Sequence, residues 1–411
     1  MTTNASKQLR HLFRVITGST PESGKPEYWD GDIPWVTPED VGALEGYLLQ
    51  DTRRRVTVAG YESCGTRLAE AGSIVLTKRA PIGQLALLGI PACSNQGCFL
   101  LSPRANVDTR FYYYFLSSQA SYLQALGRGS TFMELSTDDL KALRVPEPPF
   151  SAQNAMARFL DRETGTIDDL IAAKNRQLEL IAEKRSAIMA AAVMRGIESI
   201  APMRDSGVPW IGRVPEHWEI ERSKWLFSER DVRSETGEEE MLTVSHITGV
   251  TPRSEKDVNM FEAETNEGYK VCLTGDLVIN TLWAWMGAMG VAPIKGIVSP
   301  AYNVYETGPR LEPAYIDALV RLPVFAQEVT RYSKGVWSSR LRLYPEGFFE
   351  VCLPVPPRED QRAIVQHIAR ETAKLDKVRG ATERTIALLK ERRSALIAAA
   401  VTGQIDVGAA A

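Results

Sequence analysis

One long segment occurs twice in this sequence. Residues 146–197 read PEPPFSAQNAMARFLDRETGTIDDLIAAKNRQLELIAEKRSAIMAAAVMRGI, and residues 354–405 read PVPPREDQRAIVQHIARETAKLDKVRGATERTIALLKERRSALIAAAVTGQI. The copies align at a constant offset of 208 residues without a gap, so that Gln153 matches Gln361 and Asp168 matches Asp376. A long match that occurs only twice indicates a molecule built of two halves rather than a solenoid array.

Each copy predicts a long helix. A proline-rich strand end precedes it, no proline interrupts the following forty or so residues, and apolar residues recur at alternating spacings of four and three. Such a heptad stripe is typical of a coiled coil. We call the stripe positions expected at the helix contact the seam; they are Ile167, Ile171, Leu178, Ile181, Ile188, Leu375, Ile386, Leu389 and Leu396.

The predicted fold class is α+β, with two globular domains of mixed α/β structure separated by two long helices. Because both helices belong to one chain, we expect them to form an intramolecular antiparallel coiled coil, with the domains in a pseudo-twofold arrangement. The alternative is that each helix packs on its own domain as an ordinary amphipathic helix. The expected boundaries are 1–149 and 201–357 for the domains, and 150–200 and 358–411 for the helical regions.

Composition places the chain among multidomain globular proteins. It has 411 residues, 44% of them hydrophobic and 24% charged, which is too long for one ordinary core. An apolar stretch of membrane-spanning length and a signal peptide are both absent from the sequence, and we therefore expect a cytoplasmic location. The five cysteines include no CxxC pair, which favours reduced structural thiols.

The segments that precede the two helices also share a layout. Each contains a Gly-led apolar strand, a second Gly, a Ser-led segment and a basic, Gly-containing tip. These features lie at 72–76, 83, 94–97 and 128–131 in the first half, and at 275–279, 287, 299–303 and 334–337 in the second. The scaffolds repeat while the tip residues differ, as a protein that recognises two different half-sites would require.

Side chains at these loops have the chemistry of DNA readout. In the major groove Arg and Lys bind guanine, Asn and Gln bind adenine, and apolar groups contact the thymine methyl, whereas Lys, Arg, Ser and Thr also hold phosphates. The candidates are Lys78, Arg79, Asn95, Gln96, Arg128, Ser130 and Thr131 in the first domain, and Asn280, Thr281, Trp283, Tyr302, Asn303, Lys334, Trp337, Arg340 and Arg342 in the second. For each of them the alternative is an ordinary solvated loop residue or a core aromatic.

The net charge argues against a free-standing DNA-binding protein. The chain carries a formal charge of −3, whereas such proteins usually show an excess of Lys and Arg. Any positive surface that faces DNA must therefore be local or shared with a partner chain.

Several phrases resemble the specificity subunits of type I restriction–modification systems. They are GSTPESGKPEYWDGDIPWVTPEDV at 18–41, DSGVPWIGRVPEHWEI at 205–220, GDLVINTLWAWMGAMGV at 275–291, and the repeated segment itself. The resemblance extends over nearly the whole chain. One departure is that the first domain lacks a lead like the WIGxxPxHW of residues 210–218.

The resemblance implies a recognition subunit that is not an enzyme. In that family two target-recognition domains each read one half of a bipartite double-stranded DNA site, and the paired helices set the spacer between the halves. Two modification subunits bind S-adenosylmethionine and methylate adenine, and restriction/translocase subunits use ATP and Mg. The chain itself is then expected to have no catalytic residues, metal or cofactor, and no membrane partner.

Enzymatic motifs are weak in this sequence. Glu147-Pro148-Pro149-Phe150 approaches the Asp/Asn-Pro-Pro-Tyr/Phe motif of adenine methyltransferases, but Glu is one methylene too long and the second copy, Val355 to Arg358, loses both ends of the motif. The sequence contains no GxxxxGK[ST] loop, and its four histidines lack metal-ligand spacing. The remaining alternatives are a coiled-coil scaffold without sequence readout, a single-chain modification enzyme, and the specificity subunit of another multisubunit modification system.

Overall fold

The computed structural model describes residues 6–44, 46–128, 133–198, 200–255, 265–335 and 341–405. The chain forms two compact units, one of residues 1–174 with 384–411 and one of residues 175–383. Each unit contains one globular domain and half of each long helix. The unit boundaries therefore fall inside the helices, whereas the boundaries expected from sequence lie at the helix ends.

The first unit is built on a five-stranded sheet of order β2-β9-β6-β7-β4. A smaller sheet has the order β5-β3-β8, and β1 pairs with β10 beside the start of the first long helix. The strands are β1 Ser6–Gln8, β2 Phe13–Thr17, β3 Trp29–Val36, β4 Leu48–Leu49, β5 Arg55–Val56, β6 Ile74–Thr77, β7 Leu85–Leu88, β8 Cys93–Ser94, β9 Cys98–Pro103 and β10 Arg144–Pro146. The helices are α1 Leu9–Leu12, α2 Pro38–Gly42, α3 Val58–Glu62, α4 Thr109–Ser118, α5 Ala120–Ala125, α6 Thr137–Ala142 and the long α7 Phe150–Arg195.

The second unit contains a four-stranded sheet of order β14-β21-β18-β19, which repeats the order β2-β9-β6-β7 of the first. Its strands are β11 Met203–Asp205, β12 Arg213–Pro215, β13 Glu219–Arg222, β14 Phe227–Glu229, β15 Leu242–Ser245, β16 Gly249–Pro252, β17 Lys270–Cys272, β18 Leu277–Asn280, β19 Met289–Val291, β20 Gly296–Val298, β21 Tyr302–Thr307 and β22 Cys352–Val355. Its helices are α8 Pro313–Val320, α9 Pro323–Arg331, α10 Pro345–Glu350 and the long α11 Arg358–Val401.

Corresponding cores hold the two units together. In the first, Ile74 of β6 and Phe111 of α4 share a buried cluster with Leu160 of α7 and Ile397 of α11. In the second, Leu277 of β18 and Tyr315 of α8 cluster with Val193 of α7 and Ile364 of α11. Burial of apolar side chains is the main favourable term in folding. Each sheet is therefore fixed to one end of both long helices.

The long helices run antiparallel within each unit. In the first, Asp168 of α7 pairs with Arg393 of α11, while the earlier Leu160 shares its cluster with the later Ile397. In the second, Arg185 pairs with Asp376, while the later Val193 clusters with the earlier Ile364. The predicted fold class, with two α/β domains and two long antiparallel helices, is confirmed. The pseudo-twofold arrangement of the domains stays a prediction.

A buried glutamine fixes the start of each long helix. Near the start of α7, the Gln153 side chain accepts a hydrogen bond from the Asp108 N–H at 2.9 Å and donates to the Pro148 carbonyl at 2.8 Å. Its counterpart Gln361 accepts from the Glu312 N–H at 2.7 Å and donates to the Pro356 carbonyl at 2.8 Å. These bonds pair backbone groups that burial would otherwise leave unsatisfied.

Candidate nucleic-acid interface

In the first unit the end of β6 meets two loops. Lys78, which follows β6, donates its N–H to the Gly97 carbonyl at 2.7 Å and accepts from the Leu135 N–H at 3.0 Å. Farther along, Arg128 and Glu134 exchange two backbone hydrogen bonds of 3.0 Å, which close the base of the tip. The strand end, the Ser-led turn and the base of the tip therefore lie together.

The Ser-led turn presents one of its two amide side chains to solvent. The Asn95 Oδ1 accepts from the Gly97 N–H at 2.8 Å, so that this side chain stabilises the turn itself. Gln96 is exposed, and its Oε1 accepts from the Thr20 hydroxyl. A side chain at Gly97 would lie 2.8 Å from the Pro38 ring, which explains the glycine.

The basic side chains of this region differ in availability. The Lys78 Nζ lies 2.5 Å from Glu134, and the Lys78 side chain is only 18% exposed. Arg128 pairs with Asp139 at 3.0 Å, but its side chain is 77% exposed, and such exposed pairs are weak. Arg79 is half-buried. Ser130 and Thr131 lie outside the described residues.

The second unit repeats this construction at the end of β18. Thr281 accepts from the Leu343 N–H at 3.1 Å, which is the counterpart of the bond between Lys78 and Leu135. The Thr281 hydroxyl donates to the Ala301 carbonyl at 2.8 Å. Lys334 and Arg342, both exposed, exchange backbone hydrogen bonds of 2.8 and 2.9 Å at the base of the tip. Trp337 and Arg340 lie outside the described residues.

Three polar candidates of the second unit are buried. Asn280, Thr281 and Asn303 are 6%, 9% and 9% exposed. The Asn280 Oδ1 accepts from the Leu282 N–H at 3.3 Å, and the Asn303 Oδ1 accepts from the Lys270 Nζ at 3.4 Å. Their polar atoms are thus engaged within the domain, where they shape the loop.

Beside this loop lies a groove of about 540 Å³. Its lining includes Asn280, Trp283 and Tyr302, together with Ser245 at the end of β15 and His246 in the turn that follows. Trp283 is 50% exposed and stacks on Trp285 with ring centroids 6.3 Å apart. Burial raises the pKa of the Tyr302 hydroxyl, which keeps this side chain neutral and able to donate a hydrogen bond.

The seam positions lie on the protected side of the long helices. Ile167 is 6% exposed. The other eight are half-buried, namely Ile171, Leu178, Ile181, Ile188, Leu375, Ile386, Leu389 and Leu396. The stripe of seam residues is therefore at least partly shielded from solvent in both helices.

Comparison with known proteins shows similarity to one described family. Residues 1–180 match the family described as type I restriction modification DNA specificity domain. The specificity subunit of the type I restriction enzyme MjaIX from Methanocaldococcus jannaschii is 35% identical over 177 residues, which are 43% of this chain and 40% of that protein. The EcoR124I/EcoR124II specificity subunit of Escherichia coli is 25% identical over 181 residues, 42% of this chain and 44% of that protein.

Over less than half of its length, this chain is therefore similar to type I restriction enzyme specificity subunits. The matches span less than half the length of these two curated relatives.

Two solved structures share the fold over nearly the whole chain. The HsdS subunit from Thermoanaerobacter tengcongensis is 15% identical, with a TM-score of 0.52 and 98% of both chains covered. A chain from a structural study of assembly and conformational transition of the type I R-M system is 16% identical, with a TM-score of 0.66 and 97% of both chains covered. At these identities the likeness concerns the fold alone.

The acidic residue of the segment that resembles a methyltransferase motif takes part in an ion pair between two strand ends. The carboxylate of Glu147 lies 2.5 Å from the Lys7 ammonium, between β10 and β1. Among the described residues, groups of three or more His, Cys, Asp or Glu that could hold a metal are absent.

Burial raises the pKa of Cys93 and Cys272 to about 11, so that both thiols stay protonated and unreactive near neutral pH. In the part of the chain that the structure describes, helices long and apolar enough to cross a membrane were not found.

Sequence reasoning missed the hairpin that forms one wall of the groove. The segment LTVSHITGVTP (242–252) carries a signal, because apolar residues alternate on both sides of a turn that is followed directly by Gly249. Gly249 has φ of 69°, a left-handed conformation that glycine adopts at little cost. Alternation followed by a glycine turn would have predicted this hairpin.

Proposed function

We propose that this chain is the DNA-recognition subunit of a type I restriction–modification complex, in which each globular domain reads one half of a bipartite site. One observation carries the proposal. The same strand end, turn and tip base recur in both units on the same sheet order, but the side chains they present differ. A common scaffold with different side chains suits recognition of two unlike half-sites.

Exposed residues around each tip supply the expected contacts. In the first domain Gln96 and Arg128 have the chemistry for a base edge and a phosphate, and Arg79 follows Lys78 at the same strand end. In the second, Lys334 and Arg342 flank the tip and Trp283 lies at the groove. The buried Asn280, Thr281 and Asn303 act by holding their loop rather than by touching DNA. The candidates Ser130, Thr131, Trp337 and Arg340 complete the proposed set.

The partners are two modification subunits, together with restriction/translocase subunits. Exposed apolar side chains on the helices support two equivalent docking places: Leu170 and Leu388 in the first unit correspond, at the offset of 208 residues, to Val378 and Leu180 in the second. S-adenosylmethionine, ATP and Mg belong on the partner subunits, and the chain itself is not an enzyme. The partners also supply positive surface that a chain with a net charge of −3 lacks.

A gel-shift comparison tests the proposal. A pool of random duplexes is offered to the purified chain and to its complex with modification subunits over a range of salt concentrations. We expect salt-resistant, sequence-selective binding only by the complex, because part of the phosphate-binding charge comes from the partners. Tight salt-resistant binding by the chain alone contradicts the shared-charge argument. A complex that enriches no sequence indicates a scaffold instead.

A further inference from the structure

The segment between the first two strands of the common sheet differs between the units. In the first unit, residues between β2 and β6 contribute β3 and β5 to the sheet β5-β3-β8. In the second, residues between β14 and β18 form the two-stranded antiparallel hairpin β15–β16, with Leu242 opposite Pro252 and Ser245 opposite Gly249. Divergence on a shared scaffold is expected where two domains recognise different sequences.

The base of this hairpin is anchored in the domain core. Leu242, Val244 and Val250 share a buried cluster with Val278 and Val304 of the four-stranded sheet. The two hairpin strands are therefore held against the sheet by their apolar faces. This packing fixes how the turn between them, residues 246–248, projects from the sheet; we call this turn the projecting end.

The projecting end is also held in one conformation. The Thr248 N–H donates to the Ser245 hydroxyl oxygen at 3.1 Å, and the two hydroxyl groups lie 2.9 Å apart. Arg321 directly follows helix α8, and its guanidinium donates a hydrogen bond to the Ile247 carbonyl at 2.7 Å. These contacts leave the Ile247 side chain 71% exposed. A large apolar side chain is thus presented to solvent on a hydrogen-bonded turn.

The hairpin end and the loop after β18 border one groove. Ser245, His246 and Trp283 line this groove, and the Trp283 side chain is 50% exposed. A single exposed Ile is common on protein surfaces and means little alone. Here Ile247 directly follows His246, which lines the groove. The hydrogen bond from the Leu343 N–H to the Thr281 carbonyl holds the chain beside the loop after β18, and the basic Arg342 is the residue before Leu343.

We propose, building on the proposed function, that the projecting turn between β15 and β16, residues 246–248, enters the major groove of the second half-site, where Ile247 and Trp283 contact thymine methyl groups. The major groove is about 12 Å wide and admits a two-stranded ribbon, and apolar side chains recognise the thymine methyl there. The two strands lie roughly 5 Å apart, so the turn that joins them is narrower than the groove. Lys334 and Arg342 then bind the flanking phosphates.

Binding-site selection with two DNA pools tests this inference. The complex of the full-length chain with its modification subunits selects from random duplexes made with thymidine, and from a matched pool made with deoxyuridine, which lacks the methyl group. We expect the wild-type protein to enrich thymine at positions in one half-site, and this preference to fall about fourfold for each recognised methyl group that the deoxyuridine pool lacks. In the thymidine pool, Ile247→Ala and Trp283→Ala should likewise each reduce the thymine preference in that half-site, and the other half-site should be unchanged.

Ile294→Ala is the matched control, because Ile294 is an exposed apolar residue of the same unit that does not line the groove. It should select the wild-type motif, and thermal unfolding checks that all three variants are folded. The inference is overturned if Ile247→Ala and Trp283→Ala select the wild-type motif, or if both half-sites change, or if the deoxyuridine pool yields an unchanged motif. A wild-type complex that enriches no motif would instead refute the proposed function.

Discussion

At the scale of single residues, the two buried glutamines connect the helices to their domains. Gln361 is fully buried, and besides its bonds to Glu312 and Pro356 it donates to the Arg310 carbonyl at 2.9 Å. We expect Gln361→Leu to lower the free energy of unfolding by roughly 1–3 kcal/mol, because it leaves buried backbone groups unpaired. Urea unfolding measures the change. Gln366→Leu, at an exposed position of the same helix, is the control, and equal effects of the two changes would contradict the argument.

A second residue-scale prediction concerns pH. Burial by itself raises the pKa of the Asp108 carboxyl, but hydrogen bonds from Arg110 and Asn154 outweigh it and hold that pKa below its usual value. A carboxyl whose pKa is lowered in the folded state stabilises the protein above its unfolded pKa of about 3.9, and this contribution disappears as the pH falls through the folded pKa. Unfolding free energy should therefore fall on acidification below about pH 4.

Asn154→Ala isolates this effect. The Asn154 amide donates to Asp108 at 2.9 Å, and its removal should cost about 1 kcal/mol at pH 7. The difference from the wild-type protein should shrink as the pH falls through the folded pKa of this carboxyl, because the carboxyl then becomes protonated in both states. Unfolding curves at a series of pH values from 7 downward measure it. A difference that stays constant with pH would mean that Asn154 acts through packing alone.

At the scale of elements, two equivalent ion pairs link the long helices. Arg393 and Asp168 form a two-bond pair with distances of 2.8 and 3.2 Å. Arg185 and Asp376, which occupy the same positions of the repeat, form the other at 3.0 Å. Each pair is partly exposed, so its contribution to stability is modest. Its main effect is to favour one register of the helices over its neighbours.

We expect Arg393→Asp to destabilise the protein by up to about 1 kcal/mol, because two carboxylates then face each other. The double change Arg393→Asp with Asp168→Arg should recover most of the loss, as a double-mutant cycle by thermal unfolding would measure. Arg392→Asp, at the exposed neighbouring position, should have a smaller effect. A double variant no more stable than the single one would show that the pair does not couple the helices.

Repetition and periodicity were enough to predict the large elements, but not which polar side chains face solvent. The proline-free runs predicted α7 and α11, and the alternating spacings indicated a stripe whose members are half-buried or buried. Asn303, by contrast, is buried because Lys270 lies against it, a contact between residues far apart in sequence. Burial of a loop residue depends on such neighbours, which periodicity does not reveal.

At the scale of the whole molecule, the two equivalent docking places should determine how many modification subunits the chain binds. If Leu170 and Leu388 dock one modification subunit and their counterparts Leu180 and Val378 dock the other, changing one pair to Glu should remove one bound copy and leave the second. Charged side chains are costly in an apolar interface. Native mass spectrometry of the purified complex counts the copies. Ala373→Glu, at another exposed helix position, is the control, and loss of both copies from one altered pair would contradict independent docking.

Exchange of a whole domain tests the division of recognition. Lys78, Gln96 and Arg128 all precede Phe150, where α7 begins. Replacing residues 1–149 with the corresponding domain of another family member should therefore change one half of the selected site and leave the other half and the spacer unaltered. The join must preserve the packing of Leu160 and Ile397 against the domain core, so a matched unfolding curve is required before selection is compared. A change in both halves would mean that the two domains do not read DNA independently, because the side chains around the second tip are untouched by the exchange.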